Sequence, residues 1–135
     1  MTPDEARALP LFEGLSPAGL ERVAAHAAEL TCEPGQILAL PGDPGSGMYV
    51  VLDGTVSVEM RGGWHTELGR GNFFGEIALL VPESGRVARV RALTPVRCLS
   101  LARDDFMALV ESEPAFTLEM LYELARRLSN YSADG

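Results

Sequence analysis

Apolar positions in residues 1–30 recur with a helical period. Ser16-Pro17 is a helix start signal, because a capping residue is followed by proline at the first helical position. The apolar residues that follow fall near one face of such a helix, and they are Leu20, Val23, Ala24, Ala27 and Leu30. The pattern therefore predicts N-terminal helices over residues 1–30.

The pattern changes over residues 31–102, where glycine and proline interrupt the chain about every eight to twelve residues. Between these breaks lie short apolar or alternating runs, at residues 37–40, 48–52, 55–60, 87–93 and 96–101. Many short strands at this spacing indicate an antiparallel sandwich or barrel. Asp53-Gly54 lies between two such runs and predicts a β-hairpin.

Residues 103–131 return to a helical period. Asp104 and Asp105 place negative charge at a helix start, where the helix dipole favours it. Pro114 begins a second helix, whose seam positions step by four and three residues: Thr117, Leu121, Leu124, Leu128 and Tyr131. This seam either packs as core or contacts a second copy of the chain.

Composition narrows the class of protein. The 135 residues allow a single domain, and the formal net charge of −8 argues against a free-standing nucleic-acid binder. The stretch 86–103 nevertheless carries five arginines and no acidic residue, at positions Arg86, Arg89, Arg91, Arg97 and Arg103. Such a strip either holds a small anion or forms the solvated face of a strand.

Cysteine usage and the N-terminus indicate the compartment. Cys32 and Cys98 are too few for a cysteine-only metal site, and their apolar, strand-like surroundings favour two buried free thiols over a disulfide. The first residues lack the apolar region of a signal peptide. Since no apolar run approaches the roughly 20 residues of a membrane span, we expect a cytoplasmic protein that does not enter the membrane.

The segment 71–93 contains the residues best suited to bind a ligand. Gly75 allows a tight turn and a close approach of the backbone, and the amides after it can point at an anion. Glu76 is a carboxylate in an apolar run, and Arg86 follows ten residues later. A carboxylate suits ribose hydroxyls and a guanidinium suits phosphate, so a nucleotide site is one interpretation. An internal Glu76–Arg86 ion pair is the other.

These residues resemble a known family. FGEIALL followed by RVARVRA is similar to the phosphate-binding cassette of the cyclic nucleotide-binding domain, the sensor domain of the catabolite activator protein and of cyclic-nucleotide-dependent kinases. The resemblance covers nearly the whole chain. It implies a mainly β fold, an antiparallel, jelly-roll-like β-roll (double-stranded β-helix) over 31–102, with N-terminal helices over 1–30 and the B and C helices over 103–131. Residues 1–135 would then form one cyclic nucleotide-binding domain.

The resemblance also implies roles for individual residues. Glu76 would accept the ribose 2′-hydroxyl, and Gly75 would let the chain approach the sugar. The remaining contacts to the cyclic phosphate would come from the amides of Ile77, Ala78 and Ala88 and from the side chain of Arg86. Val58 and Leu68 match positions that line the base, whereas Phe73 and Phe74 are expected in the core.

Two departures from the family pattern affect the prediction. Val87 stands where the family often has Ser, Thr or Ala, so a side-chain hydroxyl is absent and cAMP is favoured over cGMP as the ligand. The chain also ends directly after the C helix, so it is expected either as a stand-alone module or as a piece of a longer protein. We expect Arg127, Tyr131 and Ser132 to reach the base from a C helix that closes as a lid.

Three other functions are compatible with a β-roll. A metal enzyme would need several histidines, and the chain has two, His26 and His65. A haem or cluster sensor would need ligands that this sequence lacks. A protein-interaction module that has lost its nucleotide would tolerate Val87. The sequence therefore predicts a non-catalytic cyclic nucleotide sensor without a metal, acting in signal transduction on an output protein or fused domain, with no DNA contact of its own and a possible homodimer through the C helix.

Overall fold

The computed structural model describes residues 1–39, 47–60, 62–81, 83 and 88–134, and for residues 39 and 131–134 it describes the backbone alone. Contacts within the chain divide it into two units. The helical unit comprises Met1–His26 and Asp104–Gly135, and the β unit comprises Ala27–Arg103. A mainly β fold, with helices before and after it in the chain, is confirmed.

Within the described part of the β unit, the strands form two four-stranded antiparallel sheets. The strands are β1 (Ala28–Cys32), β2 (Ile37–Ala39), β3 (Gly47–Asp53), β4 (Val56–Met60), β5 (His65–Leu68), β6 (Phe73–Phe74), β7 (Ala88–Ala92) and β8 (Val96–Ala102). The first sheet has the order β1-β8-β3-β6 and the second has the order β2-β7-β4-β5. The runs predicted at 37–40, 48–52, 55–60, 87–93 and 96–101 overlap five of these strands, and residues 40 and 87 of these runs lie outside the described residues.

The core of the β unit lies between the two sheets. Its buried cluster takes side chains from both, namely Cys32, Val51, Val56, Leu68, Phe74, Val90, Ala92, Val96 and Cys98. Both cysteines are buried free thiols, as their surroundings predict. Burial raises the pKa of the Cys98 thiol to about 12, and the neighbouring Cys32 contributes to that shift. A thiol that stays protonated in this way behaves as a small apolar side chain.

The hairpin predicted at Asp53-Gly54 is wrong. Strand β3 pairs with β6 and β8, whereas β4 pairs with β5 and β7, so the turn joins strands of different sheets. Gly54 does adopt a left-handed conformation, with φ of 92°, and a Cβ there would overlap the carbonyl oxygen of Pro95. The turn residues were recognised correctly because turn chemistry is local. The choice of pairing partner is not local, and residues far along the chain decided it.

The helix predicted to continue to Leu30 ends earlier. Helix α2 (Pro17–His26) stops at His26, and residues 28–32 form β1 against β8, with Leu30 opposite Cys98. Apolar residues in a short segment fit the period of a helix as well as that of a strand, and here the pairing with β8 favours the strand. Strand β6 was not predicted from the sequence either, since it has two residues.

The remaining helices are α1 (Pro3–Arg7), α3 (Glu76–Leu80), α4 (Arg103–Ser112) and α5 (Pro114–Asp134), with a 3-10 turn at Pro10–Phe12. Helices starting near Asp104 and at Pro114 are thus confirmed. In the helical unit the buried ring of Phe116 lies between two others. Its centroid is 6.3 Å from that of Phe12 and 6.0 Å from that of Phe106.

Two polar contacts join the segments of the helical unit. The buried carboxylate of Glu113 accepts hydrogen bonds from the backbone nitrogen of Ser16 at 2.8 Å and from its hydroxyl at 2.7 Å. The same hydroxyl accepts from the amide of Gly19 at 3.2 Å, which caps α2. Asp105 accepts from Arg22 and contacts the His26 ring, at 2.9 and 2.8 Å.

The seam predicted on α5 is mostly exposed. Leu121 and Leu128 have 60% and 66% of their surface accessible, and Leu124 is half-buried. The buried apolar residues of this helix are instead Phe116 and Met120. Leu121 and Leu128 are therefore not core, and contact with a second copy stays the other interpretation of this seam.

Candidate functional site

The segment that begins the candidate site is placed by β6. Phe73 and Phe74 lie opposite Val50 and Tyr49 of β3, and both phenylalanines are buried at 3% exposure. The Phe74 ring stacks on Tyr49, with centroids 5.1 Å apart. These contacts confirm that both phenylalanines are core residues, and they hold the chain in place where it turns into α3.

Gly75 makes that turn. It caps α3 in the left-handed conformation, with φ of 92° and ψ of −3°. A residue with a Cβ is strained there, so glycine is required by the backbone and not only by a ligand. The turn directs the first residues of α3, Glu76, Ile77 and Ala78, away from the line of β6.

Glu76 is buried at 3% exposure in the first turn of α3. A carboxylate at this depth is costly unless hydrogen-bond donors or positive charge face it, and the start of a helix supplies part of that compensation. Ile77 next to it is half-buried, and Ala78 is 2% exposed. The arrangement thus offers an acceptor and backbone amides within one short turn.

Arg103 contacts the carboxyl end of α3. Its Nη2 donates to the carbonyl of Ala78 at 3.4 Å, and its Nη1 donates to the carbonyl of Leu79 at 3.5 Å. Sequence reasoning counted Arg103 in the arginine strip but did not connect it with this helix. The sequence did indicate that the carbonyl of Ala78 needs a donor from outside the helix. Pro82 stands four residues after Ala78 and has no amide hydrogen to donate to that carbonyl.

The other described arginines of the strip pair with carboxylates. Arg89 and Arg91 both contact Glu59, and Arg97 contacts Glu29 at 3.2 Å. The hydrogen bond from Arg89 is the main cause that lowers the pKa of Glu59 below its ordinary value, with both arginine charges adding to it. For Arg89, Arg91 and Arg97 these contacts favour the solvated-face interpretation.

The inner face of the second sheet forms a wall next to the core. Val58 of β4 is half-buried and packs against the core cluster, whereas Leu68 of β5 belongs to that cluster at 7% exposure. Thr66 lies directly opposite Val58, and Met60 lies two residues along the same face. Both are half-buried, and sequence reasoning missed them because an isolated Thr or Met carries no motif.

The described structure does not test the predicted roles of several site residues. Arg86 and Val87 lie outside the described residues, while Ala88 begins β7 opposite Met60. Arg127 lies in α5, where its Nε donates to Glu123 at 3.2 Å. Tyr131 and Ser132 are in the last turns of α5, and of these two the structure describes the backbone alone.

Among the described residues, no group of three or more His, Cys, Asp or Glu side chains is arranged to hold a metal ion. Of the two histidines, His26 contacts Asp105 in the helical unit and His65 is exposed on β5. No helix in the described part of the chain is long and apolar enough to span a membrane.

Comparison with known proteins finds a family model and curated relatives that match this chain. The model of a family described as cyclic nucleotide-binding domain matches residues 29–113. A cyclic nucleotide-gated potassium channel of Mesorhizobium japonicum is 41% identical over 107 residues, which cover 79% of this chain and 29% of the channel. A human potassium/sodium hyperpolarization-activated cyclic nucleotide-gated channel is 37% identical over 106 residues, which cover 78% of this chain and 14% of the channel.

The fold is also found in a solved structure. The catabolite activator protein of Thermus thermophilus superposes with a TM-score of 0.75 at 30% identity, covering 93% of this chain and 61% of that one. The chain thus spans less than a third of the length of the two channels that it matches.

Proposed function

This chain belongs to the cyclic nucleotide-binding domain family, and on that premise we propose that it binds a cyclic nucleotide as a regulatory module with no catalytic step of its own. The observation that carries the proposal is the start of α3. There Gly75 adopts φ of 92°, and Glu76 follows it at 3% exposure. A glycine turn lets the backbone approach a ligand closely, and a buried carboxylate is suited to the hydroxyls of a sugar.

The roles of the site residues follow the family resemblance. Glu76 accepts the ribose 2′-hydroxyl, and the amides of Ile77 and Ala78 meet the cyclic phosphate. Arg86 pairs with the exocyclic phosphate oxygens, and the amide of Ala88 adds a further bond. The position of Glu76 in the first turn of α3, directly after the left-handed Gly75, supports its part.

Selectivity for the base depends on the wall of the second sheet and on Val87. Val58, with Leu68 behind it, offers an apolar surface to the base, and Met60 and Thr66 extend the same face. Val87 has no hydroxyl to offer a guanine amino group or a phosphate oxygen. A missing neutral hydrogen bond is worth about 0.5–1.5 kcal/mol, so we propose cAMP as the preferred ligand, with cGMP bound more weakly.

The output of binding is proposed from the relatives. Those named above are two channels and a catabolite activator protein, so an output protein or fused domain is expected to receive the signal. Movement of the C-terminal helix, with Arg127, Tyr131 and Ser132 as a lid, stays a prediction from the resemblance. The exposed Leu121 and Leu128 support an association of α5 with a second copy, which sedimentation equilibrium would detect.

The test is titration calorimetry of the protein with cAMP and then with cGMP. We expect wild-type binding in the micromolar range or tighter, and Glu76→Gln should weaken it by roughly 10- to 100-fold, because a hydrogen bond to a charged group is worth about 1.5–3 kcal/mol. Arg86→Ala should weaken it similarly. Glu67→Gln, an exposed carboxylate on β5, is the matched control and should bind as wild type does.

Two outcomes would contradict the proposal. Absence of binding to either nucleotide would point to the alternative function, a protein-interaction module that has kept the fold without its ligand. Binding that is equally strong in Glu76→Gln and in Arg86→Ala would leave the ligand in place but overturn the assignment of the site.

A further inference from the structure

Helix α3 is too short to be stable without outside support. It has five residues, Glu76–Leu80, whereas isolated helices in water need about 12–15 residues to be even marginally stable. Its last carbonyls also need donors from elsewhere. The amide of Val81 closes on the carbonyl of Ile77 at 2.7 Å, but Pro82 has no amide hydrogen for the carbonyl of Ala78.

Arg103 supplies the missing donors. Its two terminal nitrogens reach the consecutive carbonyls of Ala78 and Leu79, at 3.4 and 3.5 Å. Both residues are 2% exposed, so water is a poor substitute for these donors. A guanidinium also places positive charge at the carboxyl end of the helix, where the helix dipole favours it. The forked geometry of arginine suits two neighbouring acceptors better than a single ammonium does.

We propose that Arg103 is a positioning residue of the ligand site, which acts through α3 and does not touch the ligand. This inference rests on the proposed function, in which the ligand meets Glu76, Ile77 and Ala78. Arg103 holds the carboxyl end of the same five-residue helix, about 7 Å along its axis from the first residue. When that end is released, the amides and the carboxylate at the other end lose their fixed direction.

The proposal separates Arg103 from the other arginines of the strip. Arg97 lies on β8, six residues earlier, and pairs with the carboxylate of Glu29 at the surface. Arg103 is half-buried and donates to the backbone of α3. Arg97→Met is therefore a matched control for Arg103→Met, because each removes one guanidinium from the β unit and keeps an unbranched apolar stem.

Two measurements test the proposal. Calorimetry with cAMP measures the dissociation constant. Amide hydrogen exchange of the ligand-free protein measures the local stability of α3 at residues 79–81, whose amides close its turns. We expect Arg103→Met to weaken binding roughly tenfold and to speed exchange in α3 by a similar factor, while amides of β3 and β8 keep their wild-type rates. Arg103→Lys should recover part of both effects. Arg97→Met should change neither.

Other results would overturn the assignment. Wild-type affinity together with wild-type exchange in Arg103→Met would show that the contact positions nothing. Faster exchange spread evenly over α3, β3 and β8 would show a general structural role instead. If Arg103→Met does not fold, Arg103→Lys decides by the same two readouts. If the wild-type protein binds neither cAMP nor cGMP, the proposed function fails, and the exchange of α3 still decides whether Arg103 orders this helix.

Discussion

The fold places opposite requirements on the neighbouring residues Gly75 and Glu76. Gly75 has to lack a Cβ because its backbone is left-handed, at φ of 92°. Glu76 has to carry its carboxylate into the interior, where it is 3% exposed. Replacing either residue is expected to cost free energy, so this pair is the most specific sequence motif of the site.

The strain and the site function of Gly75 can be measured separately. Gly75→Ala should destabilise the protein by about 1–2 kcal/mol, because an L-residue is forced into the left-handed region. Gly35→Ala is the matched control, since Gly35 has φ of 89° and open space around its Cβ direction. Urea unfolding should show a similar loss of stability in both variants, and calorimetry should show weaker cAMP binding in Gly75→Ala alone. Equal affinities would remove Gly75 from the site.

At the scale of elements, the start of α2 depends on a residue far along the chain. The hydroxyl of Ser16 donates to Glu113 at 2.7 Å and accepts from the amide of Gly19 at 3.2 Å. Gly19 leaves room for this contact, because a Cβ there would lie 2.9 Å from the Glu113 carboxyl carbon. The helix cap is therefore also a link between two segments of the helical unit.

Removing that hydroxyl should weaken the helical unit. Ser16→Ala is expected to lower the free energy of unfolding by about 1–2 kcal/mol, because the cap is lost and the buried Glu113 loses a donor. The exposed Ser112→Ala is the control and should cost less than about 0.5 kcal/mol, since its hydroxyl only bonds back to the carbonyl of Ala108. Equal losses in urea unfolding would contradict the role of the cap.

The core between the two sheets gives the protein a sensitivity to alkaline pH. The folded Cys98 thiol has a pKa of about 12, raised from the ordinary value of 9.0. The protonated Cys98 thiol contributes fully to the free energy of unfolding below pH 9.0. This contribution is lost as the pH rises toward 12, because the thiol of the unfolded chain ionises first. Compared with Cys98→Ala, the wild-type protein should lose up to about 1.4 kcal/mol more per pH unit in this range. Parallel pH profiles in urea unfolding would contradict this assignment.

At the scale of the whole molecule, ligand binding should appear as stability. A ligand that binds the folded state alone raises the free energy of unfolding by about 2.7 kcal/mol at one hundred times its dissociation constant. For a chain of this length that corresponds to a rise in Tm of roughly 10 °C. We expect this shift with cAMP and a much smaller one with 5′-AMP, which lacks the cyclic phosphate. Equal shifts would indicate a general nucleotide site.

Much of the fold could be predicted from the sequence because its causes are local. The helices starting near Asp104 and at Pro114, and the strands from 47 to 60 and from 88 to 102, follow from capping residues, glycine and proline positions and side-chain period. The glycine turn before Glu76 and the two free thiols could be predicted for the same reason. Each depends on residues that lie within a few positions of one another.

The tertiary structure alone decided what depends on distant partners. Strands β3 and β4 enter different sheets although only a short turn with Gly54 joins them, and residues 28–30 became a strand because β8 was available. Arg103 reaches Ala78 and Leu79 across at least 24 positions of sequence. The sequence by itself determined which residues could turn, cap or bind. The pairing of the sheets and the burial of Glu76 were decided by packing, because the free energy of burial depends on all neighbours at once.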